Sequence, residues 1–188
     1  SISTSSQMIT GKFLGRKNEE DILMMAIEAI EAAKAHGAEK VGINAEDASR
    51  TDPDFLLRFA SLGKEHGADR FRYCDTLGYD NPFTIYETCK MLAKETAMPI
   101  ELHCHGDLGM AVANSVAGAM GVIDGGQDAY INTTINGVGE RAGNADLVAV
   151  ILALKKSKGL GNKYKFGVPI RLSKAWKISK YASYAFGV

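Results

Sequence analysis

The sequence predicts an α/β fold built from repeated strand–helix units around a parallel sheet. Short apolar segments typical of strands recur about every thirty residues, at 40–44 (KVGIN), 70–74 (RFRYC), 99–103 (PIELH) and 128–132 (DAYIN). A helical pattern lies between successive segments, and this period is that of βα units with right-handed crossovers. Polar clusters follow the strand segments rather than precede them. Because open parallel sheets place their chemistry beyond the carboxyl ends of the strands, we expect the functional site at that edge.

The helices are predicted from their caps and their apolar periodicity. Asn18 is the expected N-cap of the first, which carries three acidic residues in its first turn and ends at Gly37. Pro53 and Pro82 stand at the predicted first turns of two later helices. Two more helices are predicted over 111–126 and 144–157, and a final helix is predicted after Pro169, leading out of the domain.

The composition predicts an ordinary soluble globular domain. The chain has 188 residues, 46% of them hydrophobic, and its 22 Lys and Arg residues balance its 22 Asp and Glu residues. We therefore expect no nucleic-acid partner, and the lack of a long apolar run or a signal peptide predicts a cytoplasmic protein that does not bind membranes. Three cysteines in apolar settings predict reduced thiols. The Ser/Thr-rich start at Ser1 predicts that both ends lie inside a longer chain.

His103 and His105 are the leading candidates for a metal site. Residues two apart on a strand point to the same side, so the two imidazoles are expected to share one face while Cys104 points away. Neutral imidazole suits several divalent transition metals. The competing interpretation is two hydrogen-bonded histidines without a ligand, and the spacing alone does not separate the two.

Two other clusters follow strand segments. The glycine-rich run 136–144 (NGVGERAGN) predicts a tight loop that brings Glu140 and Asn144 to the carboxyl edge; it lacks the third glycine of a dinucleotide fingerprint. Arg50 is a candidate fork for a substrate carboxylate, with a surface ion pair as the alternative. Thr76 is a candidate hydroxyl donor, although neighbouring Asp75 can simply cap the turn.

Several segments together resemble a known family. LHCHGDLGMAVANS, followed by NTTINGVGERAGN, is similar to the metal-dependent, acyl-CoA-condensing enzymes on a TIM barrel: the isopropylmalate, homocitrate, citramalate and Re-type citrate synthases. AEDASRTDPDFL and CDTLGYDNP match the fifth- and sixth-strand segments of that family. The resemblance covers nearly the whole chain. It implies the C-terminal part of a TIM (β/α)8 barrel, about strands 5–8 with the end of strand 4, with residues 1–166 as a partial catalytic domain and 167–188 as an exit helix or linker.

The resemblance also implies a role for each candidate residue. His103 and His105 match metal ligands, and Asn144 matches an amide at or near the metal, which would be Zn, Mn, Mg or Fe. The remaining matches concern substrates and catalysis: a hydroxyl holding the keto-acid carboxylate (Thr76), a partner of the distal carboxylate of 2-oxoglutarate (Arg50), an acid near the reacting atoms (Glu46) and a residue that steadies an arginine of the first strand (Glu140).

The implied activity is an acyltransferase reaction, the Claisen condensation of acetyl-CoA with a 2-oxo acid. RYCDTLGYDNP reads closest to the nitrogen-fixation type of homocitrate synthase, which favours 2-oxoglutarate; 2-isopropylmalate synthase, acting on 2-oxoisovalerate, and citramalate or Re-citrate synthase are the alternatives. The family's first three strands have no counterpart here. We therefore expect this chain alone to be inactive and to need a homodimer or a chain supplying the missing half. The non-enzyme alternative is an inactive fragment or assembly subunit.

Overall fold

The computed structural model describes residues 1–161 and 163–187. The strands of this part form one parallel sheet in which each strand pairs with its neighbours along the chain, in the order β1 (Ile2–Ser3), β2 (Gly42–Glu46), β3 (Arg70–Asp75), β4 (Ile100–Cys104) and β5 (Ala129–Ile131). The predicted α/β class and parallel sheet are confirmed.

Helices connect the strands and extend beyond the last one. They are α1 (Ser6–Phe13), α2 (Glu19–Ala35), α3 (Pro53–Glu65), α4 (Pro82–Thr96), α5 (Ala111–Asp124), α6 (Leu147–Lys156) and α7 (Leu172–Phe186). No helix in the described ranges is both long enough and apolar enough to cross a membrane.

Local signals identify the starts of several helices. The Asn18 side chain accepts a hydrogen bond from the backbone N–H of Asp21 at 3.1 Å, so α2 begins with the predicted cap. Pro53 and Pro82 are the first residues of α3 and α4, as predicted. The final helix is also confirmed as α7. Val188, the last residue of the predicted exit segment, lies outside the described residues.

The predicted first residues of two elements are wrong by two or more positions. The first strand of the repeat covers 42–46 instead of 40–44, because Lys40 and the backbone N–H of Val41 both bond to Asp69, at 3.1 and 2.8 Å, before pairing with β3 begins. The helix predicted from residue 144 begins at Leu147, because Asp146 accepts a hydrogen bond from the Ala149 N–H at 2.9 Å and caps it. Helix α1 was not predicted; Ser5 caps it.

The sheet has an apolar and a polar face. Strand residues such as Ile43, Phe71 and Leu102 are buried under the helices and form the core with α2 to α5. The alternate positions carry polar side chains on the opposite face: Asn44, Glu46, Arg70, Arg72, Glu101 and His103. Because strand side chains alternate between faces, the same strands that build the core also supply a polar surface. The candidate site lies on this surface.

The two edge strands each border an open groove. β1 pairs with β2 only at Ala45 and Glu46, and beside the unpaired part of β2 lies a groove of about 500 Å³. At the other edge a groove of about 610 Å³ runs along β5 beneath α5 and α6. The free thiols of Cys74, Cys89 and Cys104 are buried between these edges, and burial raises the pKa of Cys74 to about 12. Reduced thiols were predicted, and these are unpaired.

Candidate active site at the carboxyl edge of the sheet

His103 and His105 share one face at the end of β4. Their ring centroids lie 5.0 Å apart and the rings are nearly perpendicular, at 82°. His105 is 5% exposed, and its Nδ1 is buried without a hydrogen-bond partner in the described part of the chain. Burial, assisted by the charges of His103 and Arg141, lowers the pKa of His105. The pair therefore combines a shared direction with a neutral, unsatisfied imidazole nitrogen, as a metal ligand requires.

Asn144 reaches the same place from the glycine-rich loop. An isolated bridge joins His105 to Asn144, and the Gly106 N–H donates to the Gly143 carbonyl at 2.9 Å. The Asn144 amide nitrogen Nδ2 is buried without a partner in the described residues. The structure therefore places the backbone of Asn144 beside that of His105, and the role of Asn144 at a metal stays a prediction.

The loop can hold Asn144 there because its glycines pack without side chains. A Cβ on Gly139 would come within 1.9 Å of Asn144 Oδ1, and one on Gly143, whose φ is +89°, would come within 2.0 Å of the Gly137 carbonyl oxygen. Any larger residue at either position would therefore distort the loop that carries Asn144. The close contacts of these two glycines are therefore made within the loop itself.

Glu46 ends β2 on the polar face. Its Oε2 accepts hydrogen bonds from Ser3 at 2.6 Å and from Lys12 at 2.5 Å. Burial by itself would raise the pKa of Glu46, but these two hydrogen bonds outweigh it and the pKa is lowered. Glu46 is thus held as a carboxylate at the edge of the site.

Arg50 and Thr76 lie on the turns after β2 and β3. Arg50 forms a fork with the buried carboxylate of Asp47, with Nη2 at 2.6 Å from Oδ2. Thr76 Oγ1 accepts a hydrogen bond from the Asp47 N–H at 2.8 Å. Since that bond uses an oxygen lone pair, the Thr76 hydroxyl proton stays available to a ligand.

Arg141 and Asp107 belong to the polar clusters at strand ends, and the sequence predicted no individual role for them. In the structure they connect three turns. Arg141 donates to both oxygens of Asp107, at 2.8 and 2.9 Å, and to the Thr76 carbonyl at 2.5 Å. The Asp107 pKa is lowered, first of all by this hydrogen bond from Arg141. The turns after β3 and β4 and the glycine-rich loop are therefore bound to one another. Glu140, by contrast, has an 83% exposed side chain, and its Oε2 lies 3.8 Å from Arg141 Nη1.

Asp75 caps the turn after β3, which is the alternative that the sequence left open for this segment. Its Oδ1 accepts hydrogen bonds from the N–H groups of Tyr79 and Asp80, at 2.9 and 3.2 Å, and Asn114 donates to Oδ2 at 3.2 Å. Burial raises the Asp75 pKa, and the hydrogen bonds only partly offset that effect. Asp75 shapes the turn that carries Thr76. The link to Asn114, on α5, has no signal in the sequence.

The donor set fits a divalent metal in part. Within residues 1–161 and 163–187, no three His, Cys, Asp or Glu side chains stand close enough to hold one. The two imidazoles lie 5.0 Å apart, the backbone of Asn144 bridges to His105, and the orphaned Nδ1 of His105 is the kind of atom that a metal would satisfy. The described residues therefore offer one face of a site that needs at least one further oxygen ligand.

Comparison with known proteins agrees with the resemblance. A family model described as HMGL-like matches residues 1–181. The chain belongs to the HMGL-like family. It is 66% identical over 188 residues to a citrate (Re)-synthase from Dehalococcoides mccartyi and 43% identical over 187 residues to 2-isopropylmalate synthase 2 from Caldanaerobacter subterraneus. The matches cover 100% of this chain but only 45% of the length of each of these two relatives.

A third relative and a solved structure are also similar to this chain. Homocitrate synthase 1 from Nostoc is 47% identical over 120 residues, which is 64% of this chain and 30% of that protein. The fold is similar to hydroxymethylglutaryl-CoA lyase from Pseudomonas aeruginosa, with a TM-score of 0.74 over 99% of this chain and 62% of that one. At 18% identity the latter match supports the fold alone.

Proposed function

We propose that the protein carrying this chain is a metal-dependent synthase that condenses acetyl-CoA with a 2-oxo acid. The observation that carries the proposal is the pair of imidazoles of His103 and His105 at the carboxyl edge of the sheet, with the backbone of Asn144 bridged to His105. The HMGL-like match over residues 1–181 supports the same class of chemistry.

Oxaloacetate is the 2-oxo acid that the comparisons favour, which makes the expected product citrate. Identity to the Re-citrate synthase is 66% over all 188 residues, against 47% over 120 residues for the homocitrate synthase. This reverses the order predicted from the sequence, in which 2-oxoglutarate came first. Both acids are dicarboxylic, so the proposed role of Arg50 is the same for either.

The metal would be held by His103, His105 and Asn144, together with an oxygen ligand from outside residues 1–188. When bound, such an ion polarises the keto carbonyl of the 2-oxo acid as a Lewis acid. Zn, Mn, Fe and Mg all accept imidazole or amide ligands to some degree, so the donor set leaves the choice open.

The chain's own polar groups would bind and orient the 2-oxo acid. Thr76 keeps its hydroxyl proton for the carboxylate beside the keto group, because its oxygen already accepts from Asp47. Arg50 lies on the turn after β2, and its Nε and Nη2 both donate to Asp47. Its remaining nitrogen, Nη1, would therefore pair with the distal carboxylate of the 2-oxo acid. A fixed cation favours a dianionic substrate over a monoanionic one.

Glu46 would act in proton transfer, and Glu140 would bind a neighbouring cation. Glu46, held ionised by Lys12 and Ser3, is suited to accept or orient a proton near the reacting atoms. Glu140 is exposed beside Arg141 and free to hold a cation supplied by another part of the protein. We propose that this cation is an arginine of the first barrel strand.

The architecture implied is the C-terminal part of a TIM barrel, with residues 1–166 in the barrel and 167–188 leaving it. Five parallel strands in sequential order with two open edges support this assignment. A closed barrel of this type needs eight strands, so we propose that residues 1–188 alone are inactive. The rest of the barrel would come from the same chain or a partner, and the complete enzyme would work in the cytoplasm as a homodimer or a complex.

The test is an assay of the complete protein for release of CoA from acetyl-CoA. Oxaloacetate, 2-oxoglutarate, 2-oxoisovalerate and pyruvate are supplied in turn, with and without each candidate metal after removal of metals by a chelator. We expect the highest kcat/KM with oxaloacetate. A preference for 2-oxoglutarate would restore the homocitrate assignment, and no release with any acid would favour the non-enzyme alternative.

A further inference from the structure

A cluster of charged side chains lies on the polar face of the sheet, below the two histidines. Glu101 on β4 is 5% exposed, and its two carboxylate oxygens bind different arginines of β3. Arg72 Nη2 lies 2.6 Å from Oε1 and Arg70 Nη2 lies 2.8 Å from Oε2. Two guanidinium groups around one carboxylate fix its position and occupy it only as a hydrogen-bond acceptor.

Asn132 connects this cluster to His103. The register of β4 and β5 pairs Leu102 with Ile131, so the next residues, His103 and Asn132, lie side by side. Asn132 Nδ2 donates to Glu101 Oε1 at 3.2 Å, and Asn132 Oδ1 lies 3.0 Å from His103 Nδ1. The side chains form a continuous chain from Arg72 through Glu101 and Asn132 to His103.

The chemistry of each group decides which atom carries the proton. A carboxylate bound to two arginines has only lone pairs to offer, so the NH₂ group of the Asn132 amide must face Glu101. The amide oxygen then faces His103, and because a carbonyl oxygen only accepts, His103 Nδ1 must be the donor. A neutral His103 therefore carries its proton on Nδ1 and exposes the lone pair of Nε2.

His105 has no such connection. Its Nδ1 is buried without a partner among the described residues, so nothing in this part of the chain selects its tautomer. The two imidazoles lie only 5.0 Å apart, with their rings nearly perpendicular. They nevertheless differ, because Asn132 orients the ring of His103 and no described side chain orients the ring of His105.

We propose that Asn132, held by Glu101 and its two arginines, is a positioning residue that fixes His103 as the Nδ1–H tautomer and thereby directs Nε2 at the metal. The role in metal binding rests on the proposed function, whereas the tautomer does not. Hydrogen bonding of the second ring nitrogen is worth about ten- to hundredfold in metal affinity where it orients a ligating histidine. Loss of the link is expected to weaken metal binding within that range.

The tautomer is measured on the metal-free, complete protein labelled with ¹⁵N-histidine. Four histidines give few enough signals to assign by single substitutions. At about pH 9, well above the ordinary histidine pKa of about 6.5, the ring nitrogen shifts of His103 should report a proton on Nδ1. In Asn132→Leu the shifts should move toward a mixture or toward the Nε2–H form. The control is Asn44→Leu, the same change on the polar face of β2, which should leave His103 as in the wild type.

Metal titration of the same proteins by calorimetry gives the second measurement. We expect Asn132→Leu to weaken Zn²⁺ and Mn²⁺ binding about ten- to hundredfold, and Asn44→Leu to leave it unchanged. Should Asn132→Leu fail to fold, Glu101→Gln tests the same chain of bonds, because a glutamine amide can donate to the Asn132 oxygen and release His103.

The outcomes separate this proposal from the proposed function. A mixed or Nε2–H tautomer in the wild type overturns the positioning role whatever the metal data show. The positioning role is also overturned if the wild type has the Nδ1–H tautomer but Asn132→Leu binds metal as tightly as the wild type. An Nδ1–H tautomer that is lost in Asn132→Leu, in a protein that binds no divalent metal, upholds the hydrogen-bond chain and refutes the proposed metal chemistry instead.

Discussion

Arg50 and Asp47 form an ion pair in which the carboxylate is completely buried and the guanidinium is one quarter exposed. Nε lies 3.0 Å from both carboxylate oxygens and Nη2 lies 2.6 Å from Oδ2. Asp47 itself has a left-handed backbone, with φ at 63°, and Ser5 donates to the same carboxylate. The guanidinium is therefore held in place by the fold itself, which is the preorganisation that the proposed anion-binding role requires.

We predict that Arg50 discriminates between dicarboxylic and monocarboxylic 2-oxo acids. Arg50→Lys keeps the positive charge that Asp47 needs and removes the rigid guanidinium fork. For oxaloacetate, kcat/KM should therefore fall roughly thirtyfold or more, which corresponds to a loss of about 2 kcal/mol of transition-state stabilisation. The value for 2-oxoisovalerate, which has no distal carboxylate, should change little. Equal losses on both acids would assign Arg50 to structure alone.

His103→Ala in the complete protein should abolish stoichiometric binding of a divalent metal, because it removes one of two converging imidazoles. The matched control is His66→Ala, which removes a histidine paired with Glu31 on the helical surface. Elemental analysis after gel filtration measures the metal content. Unchanged content in His103→Ala would refute the ligand assignment.

The free energy of unfolding should fall at acid pH, because the Asp69 carboxylate becomes protonated there. Lys34, the Val41 N–H and Lys40 all donate to this carboxylate, and they hold its pKa well below the ordinary value. A lowered folded-state pKa stabilises the fold above the unfolded pKa of about 3.9, and that contribution is lost as the pH falls below it. Asp69→Asn should lower the urea midpoint at pH 7 and shrink the difference between pH 7 and pH 3. The control, Asp54→Asn, changes a carboxylate in the first turn of α3; a similar effect there would remove the special role of Asp69.

Helices α4 and α5 approach too closely at Gly121 to admit any side chain. A Cβ there would lie 2.2 Å from the Tyr86 carbonyl oxygen, so Gly121→Ala must separate the helices and should cost about 3 kcal/mol or more in the free energy of unfolding. Gly11→Ala in α1 is the matched control, since no atom lies within 4 Å of its added Cβ. That change should raise stability by about 0.5–1 kcal/mol through helix propensity. Urea denaturation measures both, and a tolerated Gly121→Ala would show that the helices can shift freely.

A polypeptide of residues 1–188 should self-associate or bind a partner. β1 and β5 are edge strands that border grooves of about 500 and 610 Å³ with apolar linings, and open edges of this kind pair with other chains. Sedimentation velocity should show a distribution that shifts with concentration. A monodisperse monomer with a cooperative thermal transition would contradict this expectation.

Local pattern determined much of the fold. Caps such as Asn18 and the prolines at 53 and 82 set helix starts, because the N-terminal N–H groups need partners within a few residues. The spacing of His103 and His105 determined that they share a face, because strand side chains alternate with a period of two. The polar clusters at strand ends likewise predicted the edge at which the candidate site lies.

The tertiary structure alone decided which polar groups touch. Asn132 and His103 are 29 residues apart, and they meet only because the register of β4 and β5 aligns Leu102 with Ile131. Arg141 reaches Thr76 and Asp107 only once the glycine-rich loop folds back over the strand ends. A hydrogen bond depends on placement to within a few tenths of an ångström. Residue spacing along the chain specifies which way a side chain points, but packing and register between distant segments specify what it meets there.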